Sequence, residues 1–212
     1  MNSARVPPPM SLRRLALFGL ASALLSLPLR SLATSVVAPD FDTLVSQADY
    51  VVRAVVKSVT SEWREHNGQQ YIATKIELEV REVIKGTPPS PVVLDMLGGR
   101  VGDREMTIEG APKFQVGDED ILFVQGNGQQ IYPLVAMMHG RYPIFRDAKT
   151  GEQFVLRSNG MPLYSEQDVS LPMTKLSAAK VQDPAAKPMT ADEFIKKIRS
   201  SRPESLRHVQ EN

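Results

Sequence analysis

A regular alternation of apolar and polar residues marks the segment Tyr71–Arg81. Ile72, Ile76 and Leu78 alternate with mainly charged residues, a period of two that places one set of side chains in a core and the other in water. The preceding segment, Tyr50–Thr60, is rich in β-branched residues and apolar on both faces over most of its length, as is typical of a central strand. The pattern therefore predicts two long, consecutive β-strands.

The polar segment Ser61–Gly68 separates these two strands. It has no periodic apolar set, and it ends in Asn-Gly, two residues that tolerate a positive φ. We predict a hairpin with a long polar loop at its tip. Trp63 and His66 fall within this loop, and Tyr71 opens the second strand.

Further strands follow between turn signals. Val83 and Ile84 are adjacent apolar residues out of step with the preceding alternation, which predicts a bulge that bends the second strand. Seven or eight short strands with glycine- and proline-rich connections imply an antiparallel all-β barrel or sandwich. The later predicted strands are Val92–Leu97, Arg104–Glu109, Ile121–Val124, Ile131–Met138, Arg141–Arg146 and Glu152–Arg157.

Two helices are predicted at the ends of this β domain, which spans residues 40–164. Apolar residues at helical spacing in Phe41–Ala48 predict two turns of helix before the first strand. A capping box at Thr190–Glu193 opens a second helix over residues 190–202, which docks on the barrel or awaits a partner. Residues 165–189 have the composition of a polar linker, and residues 203–212 form a tail.

The first 33 residues have the features of a secretory signal peptide. Two arginines precede Leu15–Leu29, an uncharged run too short to span a bilayer, and Ser31-Leu32-Ala33 fits a signal-peptidase site. We therefore expect a periplasmic or extracellular protein that retains no membrane span after cleavage near Ala33. The general secretory route fits the residues after the arginine pair better than the twin-arginine route.

Composition excludes several classes of function. The chain has no cysteine, so catalytic thiols, thiolate zinc sites and disulfides are absent. Removal of residues 1–33 takes away four arginines and no acids, which leaves a slightly acidic mature chain. Binding to nucleic acid through neutralised phosphates needs clustered basic residues, and no basic stripe is visible.

Two loops resemble ligand sites without meeting their requirements. Gly98–Asp103 is glycine-rich, but it matches neither phosphate-loop spacing, and no helix is predicted after it, so we interpret it as a turn. Gly117–Asp120 carries three consecutive acids but lacks the alternating oxygen ligands of a calcium loop. We interpret it as a solvated turn.

The candidates for catalysis are few. His66, His139 and His208 lie in three separate regions, and the E-x-x-E-H run that ends at His66 is not the zinc motif H-E-x-x-H. His139 follows an apolar strand and fits a half-buried histidine with satisfied hydrogen bonds. No G-x-S-x-G motif occurs. The sequence therefore predicts a noncatalytic protein without a metal or cofactor.

Trp63, the only tryptophan, is the strongest candidate for a binding residue. One interpretation is a ring folded back over the end of the barrel. The other is an aromatic anchor for a partner, because tryptophan is enriched at interface hot spots. His66 and Tyr71 are its predicted neighbours in such a partner-binding site.

The hairpin region resembles a known family. Ala48-Asp49, the strand Val51–Ala54, the long alternating strand and Val83-Ile84-Lys85-Gly86 look like the start of the netrin-like, OB-type domain of tissue inhibitors of metalloproteinases. With Gly98-Gly99 and Phe114–Phe123, the region is also similar to uncharacterised secreted bacterial proteins with an A-D-x-V-V, K-G, G-G and G-E-x-x-L-x-F pattern. Here Gly117-Asp118 replaces the usual Gly-Glu.

The resemblance covers residues 44–125 and implies an antiparallel OB-like β-barrel. It also implies that Ser61–Gly68 and the mature N-terminus lie at a partner-facing end. In the inhibitors, an N-terminal cysteine binds the protease zinc, and this chain has no such residue. The inhibitory mechanism therefore does not carry over.

These observations predict an exported, noncatalytic binding module for a protein partner, such as an exported protease. Two alternatives remain open at this stage. The first is a hydrolase or metal-dependent enzyme whose residues are not recognisable in sequence. The second is a structural subunit of an envelope complex, held through the apolar face of the helix at residues 190–202.

Overall fold

A long antiparallel hairpin dominates the computed structural model, which describes residues 37–173 and 187–201. The predicted signal peptide, part of the predicted linker and the predicted tail lie outside these residues. The elements in chain order are α1 (Phe41–Gln47), β1 (Tyr50–His66), β2 (Gln69–Lys85), β3 (Val92–Leu97), β4 (Gly99–Val101), β5 (Arg104–Met106), β6 (Glu119–Val124), a 3-10 turn (Met137–Gly140), β7 (Arg141–Arg146), β8 (Gln153–Val155), a second 3-10 turn (Glu166–Ser170) and α2 (Ala191–Ser200).

Six strands form one antiparallel sheet in the order β3-β2-β1-β6-β7-β8, and β4 and β5 form a separate two-stranded ribbon. The predicted antiparallel β architecture with two flanking helices is confirmed. The predicted closed barrel is not shown, because no described ladder joins β3 to β8. At the β8 edge, the backbone N–H of Val155 donates to Met189 O and its carbonyl accepts from Leu163 N, so irregular segments occupy this edge in place of a closing strand.

The hairpin departs from the prediction at its tip. β1 continues to His66, so Ser61–His66 is strand and not loop. Only Asn67 and Gly68 form the turn, with φ of 52° and 76°, the conformation that a two-residue hairpin connection requires. The ladder runs without interruption from Ser61 opposite Thr74 to His66 opposite Gln69.

Three register shifts bend the paired β1 and β2 strands. One lies where Val51 pairs with Lys85 and the next residue pairs with Val83, which leaves Ile84 as the extra residue. This confirms the bulge predicted at Val83 and Ile84. Bulges of this kind increase the local twist, which lets a long ribbon curve around a core.

The predicted strand Ile131–Met138 is not formed. Leu134 makes a single bridge to Val124, and the chain then enters the first 3-10 turn with positive φ at Ala136 and Met137. Leu134 and Val135 are buried, so the apolar run is a core segment without regular pairing. Pro133 lacks a backbone N–H, which weakens any ladder at this point.

Two apolar cores lie on opposite faces of the sheet, because neighbouring strand residues point to opposite faces. Val51 and Phe123 contribute to the first core, together with both helices. Val52 and Leu122 contribute to the second core, with β2 and β3. The second core consists of Tyr50, Val52, Ala54, Val56, Ile76, Leu78, Val92, Leu94, Met96, Leu122, Val124 and Leu134.

Helix α2 packs against the sheet through the apolar residues that its sequence predicted. Thr190 and Glu193 form a reciprocal capping box, and the buried Phe194 ring contacts those of Phe123 and Tyr142 at centroid distances of 6.1 and 4.9 Å. In the predicted linker, Ser165 caps the second 3-10 turn, which buries Val169. No helix within residues 37–173 or 187–201 is long and apolar enough to cross a membrane.

Candidate functional site

Trp63 lies in strand β1, opposite Ile72, and not in a loop. Ile72 is buried, whereas Trp63 is 47% exposed. The strand pairing on its β2 side fixes the backbone beneath the ring, so the indole is presented from a regular element. The prediction that Trp63 occupies a loop is therefore wrong, because the ladder continues past the last apolar pair.

The structure does not bring the three predicted binding residues to one surface. Tyr71 is opposite Arg64 and His66 is opposite Gln69, so both lie on the sheet face that Trp63 does not share. Tyr71 is half-buried, and His66 is exposed. Trp63 therefore remains the candidate on one face, which we call the tryptophan face, while Tyr71 and His66 belong to the reverse face.

A cavity of about 270 Å³ opens on the tryptophan face, between the hairpin and the β4–β5 ribbon. Val59 and Ser61, which precede Trp63 by four and two residues on the same face, contribute to its lining. Most of the remaining lining is apolar and comes from β2, β3, the ribbon and the segment after it: Ile76, Met96, Leu97, Met106, Ile108, Ala111, Pro112 and Phe114.

Two hydroxyl groups in the cavity lining are linked by a hydrogen bond. Ser61 Oγ and Thr74 Oγ1 lie 2.8 Å apart, and Thr74 Oγ1 also donates to Gly98 O at 2.6 Å. A Cβ on Gly99 would lie 2.1 Å from Thr74 Oγ1 and 2.4 Å from Ser61 Oγ, so only glycine lets the ribbon approach this closely. The Gly98–Asp103 segment was predicted as a turn. It includes strand β4, and its first residues form part of the cavity wall.

The reverse face carries compensated charges. Arg64 pairs with Asp95 at 2.6 Å and with Glu62 at 2.9 Å, and Lys75 pairs with Glu62 at 3.1 Å. Hydrogen bonds from Lys75 and Arg64 lower the pKa of Glu62. A carboxyl group stabilised in its ionised form is a poor proton donor, so Glu62 does not have the raised pKa of a general acid.

The acidic run Asp118–Asp120 is a structural brace and not a solvated turn. Arg141 binds Asp118 at 2.7 Å and Asp120 at 2.9 Å, donates to Lys113 O, and stacks 4.4 Å above the Phe114 ring centroid. The middle acid of the run, Glu119, pairs with Arg53 of β1 at 2.7 Å. No local signal in the sequence identified these arginines as partners.

Asp120 is fully buried, and its Oδ2 has no hydrogen-bond partner among the described residues. Burial raises the pKa of Asp120 to about 6, although the Arg141 charge opposes this shift. Arg141 bonds only the other carboxylate oxygen, Oδ1. Asp120 is therefore a buried member of an ion pair, and its burial makes the charged form of the carboxyl group less favourable.

His139 lies in the first 3-10 turn and is 3% exposed. Within residues 37–173 and 187–201 its Nδ1 has no hydrogen-bond partner, so the prediction of a half-buried histidine with satisfied hydrogen bonds is wrong in both respects. Burial, with a smaller effect of the Arg157 charge, lowers the pKa of His139 to about 4. His208 is outside the described residues, and within those residues no three His, Asp or Glu side chains gather as a metal-ligand group.

The A-D and K-G sequence pattern stabilises the start of the hairpin. Lys85 Nζ donates to Val45 O and Ala48 O at 2.6 and 2.7 Å, which caps the C-terminal carbonyls of α1. Asp49 Oδ2 accepts from Gly126 N at 2.7 Å, and a Cβ on Gly86 would lie 2.3 Å from Asp49 O. These residues therefore join α1, β2 and the segment after β6.

The N-terminal segment and the hairpin tip lie at opposite ends of β1. Residues 37–49 precede the first residue of β1, and Asn67–Gly68 follows its seventeenth. At about 3.3 Å per residue, the strand separates them by about 50 Å. The described part of the N-terminal segment therefore does not join the tip in one partner-facing end, as the resemblance implied.

No protein-family model matches this chain, and a search of the curated proteins finds no match to it.

Proposed function

We propose that this protein is an exported, noncatalytic binding module that engages a protein partner, such as an exported protease, through the tryptophan face of its hairpin. The observation that carries the proposal is the position of Trp63, a half-exposed indole held on a paired strand next to an apolar cavity. Tryptophan is enriched at interface hot spots, and such residues commonly lie at or next to pockets.

The size of the cavity favours a protein partner over a free small molecule. Small-molecule sites usually enclose about 300–1,000 Å³, and this cavity measures about 270 Å³. Such a volume accommodates one or two apolar side chains of a partner. The ring of Trp63 then covers adjacent surface, and the rim residue Arg100 supplies an exposed positive charge.

The finer fold assignment, an OB-like, netrin-like domain, is part of this proposal. The support for it is the resemblance together with a long, bulged first hairpin. Export to the periplasm or the extracellular space likewise rests on the signal-like residues 1–33.

The alternative through the C-terminal helix loses its proposed surface. Phe194, Ile195 and Ile198 are at most 4% exposed, so the apolar face of α2 is already packed against its own sheet. A cluster of His66 or His139 with carboxylates would favour the enzyme alternative. The described histidines are instead an exposed residue at a hairpin turn and a buried one at a 3-10 turn.

The test is crosslinking and capture of partners from the native envelope with three forms of the protein. We expect a partner that is captured by the parent protein and lost with Trp63→Ala. Phe145→Ala is the matched control, because Phe145 is an aromatic residue of β7 that is 52% exposed and lies outside the cavity. Equal capture by all three forms, at equal thermal stability, would contradict the proposal.

A further inference from the structure

The outer edge of β1 lacks a strand partner over its distal half. β6 pairs with β1 only as far as Val55, and Val56 then exchanges backbone hydrogen bonds with Gly117 and Asp118. From Ser58 to His66, β1 pairs with β2 on one side, and none of the described strands pairs with it on the other. About nine residues of strand edge are therefore open within the described structure.

An open edge of this kind is a template for another strand, because its outward N–H and C=O groups match those of any extended backbone. Native proteins block such edges with proline, and Ser58–His66 contains none. The edge strand also carries charged residues, and their order determines which strand can pair with it and in which register. Glu62 and Arg64 are two residues apart and lie on the same face, with Trp63 between them on the other.

We propose that two copies of this chain associate through this edge, with β1 antiparallel to the second copy's β1 and the two-fold axis at Trp63. An isologous contact places the same residues on both sides, so the sequence of the edge must complement itself when reversed. With Trp63 at the centre, Glu62 of each copy faces Arg64 of the other. Thr60 of each copy then faces His66 of the other.

Charge complementarity distinguishes this register from its neighbours. A register centred on Glu62 places two glutamates opposite each other, and a register centred on Arg64 places two arginines opposite each other. Directly opposed like charges destabilise a sheet, whereas opposite charges stabilise it. In the Trp63 register, the existing Glu62–Arg64 pairs, at 2.9 Å within each chain, combine into a ring of four alternating charges.

The same register brings the two exposed Trp63 side chains together. The two Trp63 rings lie side by side across the axis, where aromatic pairs contribute beyond their buried area. Both tryptophan faces then lie on one side of a continuous sheet, so the two 270 Å³ cavities flank the indole pair. This inference goes beyond the proposed function and does not depend on it, since it concerns the edge and needs no other protein.

The first test measures the oligomeric state of the purified protein by sedimentation at several concentrations and at low salt. We expect a monomer–dimer equilibrium. Glu62→Arg or Arg64→Glu alone raises the dimer dissociation constant about tenfold or more, because each change opposes like charges twice. The Glu62→Arg/Arg64→Glu double variant restores the complementary order and recovers most of the affinity.

The matched control is Glu79→Arg, because Glu79 forms an exposed pair with Arg81 on β2, two residues apart as in the edge pair. It leaves the dimer unchanged. Since Lys75 and Asp95 also contact the edge pair, circular dichroism checks that every variant is folded. A concentration-independent monomer, or a double variant no better than the single ones, would overturn the proposal.

The second test determines the register and uses the absence of cysteine from the chain. In Thr60→Cys/His66→Cys, each new thiol faces the other type across the axis, and mild oxidation gives a covalent dimer. The two positions are six residues apart on one strand, about 20 Å, so no internal disulfide forms. Thr60→Cys alone, and Thr60→Cys/Glu65→Cys with its second thiol one residue away, are the controls. Equal crosslinking of all three would refute the register.

Neither test changes a residue that lines the cavity. A parent protein that captures a partner but stays monomeric at every concentration would therefore reject this inference alone. A stable dimer that captures no partner would reject the proposed function alone.

Discussion

Replacement of Arg141 by methionine tests whether the acidic run depends on this one guanidinium. Methionine keeps most of the side-chain length and removes the partner of Asp118 and of the fully buried Asp120. Removing one member of a buried ion pair usually costs about 3–5 kcal/mol, because the remaining charge is left uncompensated.

The magnitude should depend on pH, because protonation limits the cost of a buried carboxyl. The pKa of Asp120 is about 6 in the folded protein and ordinarily 3.8, so the parent protein already loses about 3 kcal/mol at pH 8. Without Arg141 the pKa rises further, and the loss at pH 8 is limited to about 6 kcal/mol by protonation. The Asp120 contribution to the destabilisation is therefore at most about 3 kcal/mol at pH 8 and near zero at pH 5.

Loss of the contacts of Arg141 with Asp118, Lys113 O and the Phe114 ring adds about 1–2 kcal/mol at either pH. We therefore expect R141M to lower the free energy of unfolding by up to about 4–5 kcal/mol at pH 8 and by about 1–2 kcal/mol at pH 5. Urea denaturation followed by circular dichroism measures both values. His139 titrates equally in both proteins and cancels in the difference.

The double variant R141M/D120N is the control. A neutral amide replaces the carboxylate, so the double variant should be more stable than R141M at pH 8 and should lose most of the pH dependence of the difference. A destabilisation by R141M that is the same at pH 5 and pH 8 would refute the assignment of Asp120 as the uncompensated charge.

Three further changes test other parts of the structure. The pKa of His139 is about 4 when folded and ordinarily 6.5, so below pH 6.5 the unfolded chain binds a proton that the folded chain does not. Between pH 6.5 and pH 4 this contribution lowers the stability of the parent protein relative to H139Q by about 2–3 kcal/mol, and the opposing contribution of Asp120 cancels in that comparison, which urea titrations of both proteins measure. K85M, which removes the cap from α1, lowers stability by about 1–2 kcal/mol, whereas a surface variant K149M lowers it by less than about 0.5. G99A lowers the melting temperature more than G102A, since φ is positive at both positions but an added Cβ meets other atoms only at Gly99.

The hairpin shows how far sequence patterns extend. Alternation predicted β2 correctly through Val80, because one face of this part is buried against a core. Ser61–His66 lies beyond that core, and most of its side chains are at least partly exposed on either face. Where neither face is buried, no apolar period exists, and only the Asn-Gly dipeptide marked the turn.

The acidic run shows the opposite limit. Asp118 and Asp120 appeared solvated because their partner, Arg141, is more than twenty residues away. Pairing between distant charges depends on which strands become neighbours, here β6 and β7, and composition does not specify that order. Lys85 acquires its role in the same way, through the docking of a helix forty residues earlier in the chain.

Neighbouring residues at the start of β1 face two different cores, which constrains the number of residues in this part of the strand. Val51 faces the core with the helices, and Val52 faces the core with β3. A deletion of one residue from β1 at this point would shift its register and turn the residues on one side of the deletion to the opposite face, so substitution disturbs this stretch less than deletion does. The end of the hairpin formed by β1 and β2 has no such constraint. Removal of one residue from each of these two strands next to the turn leaves both apolar cores unchanged.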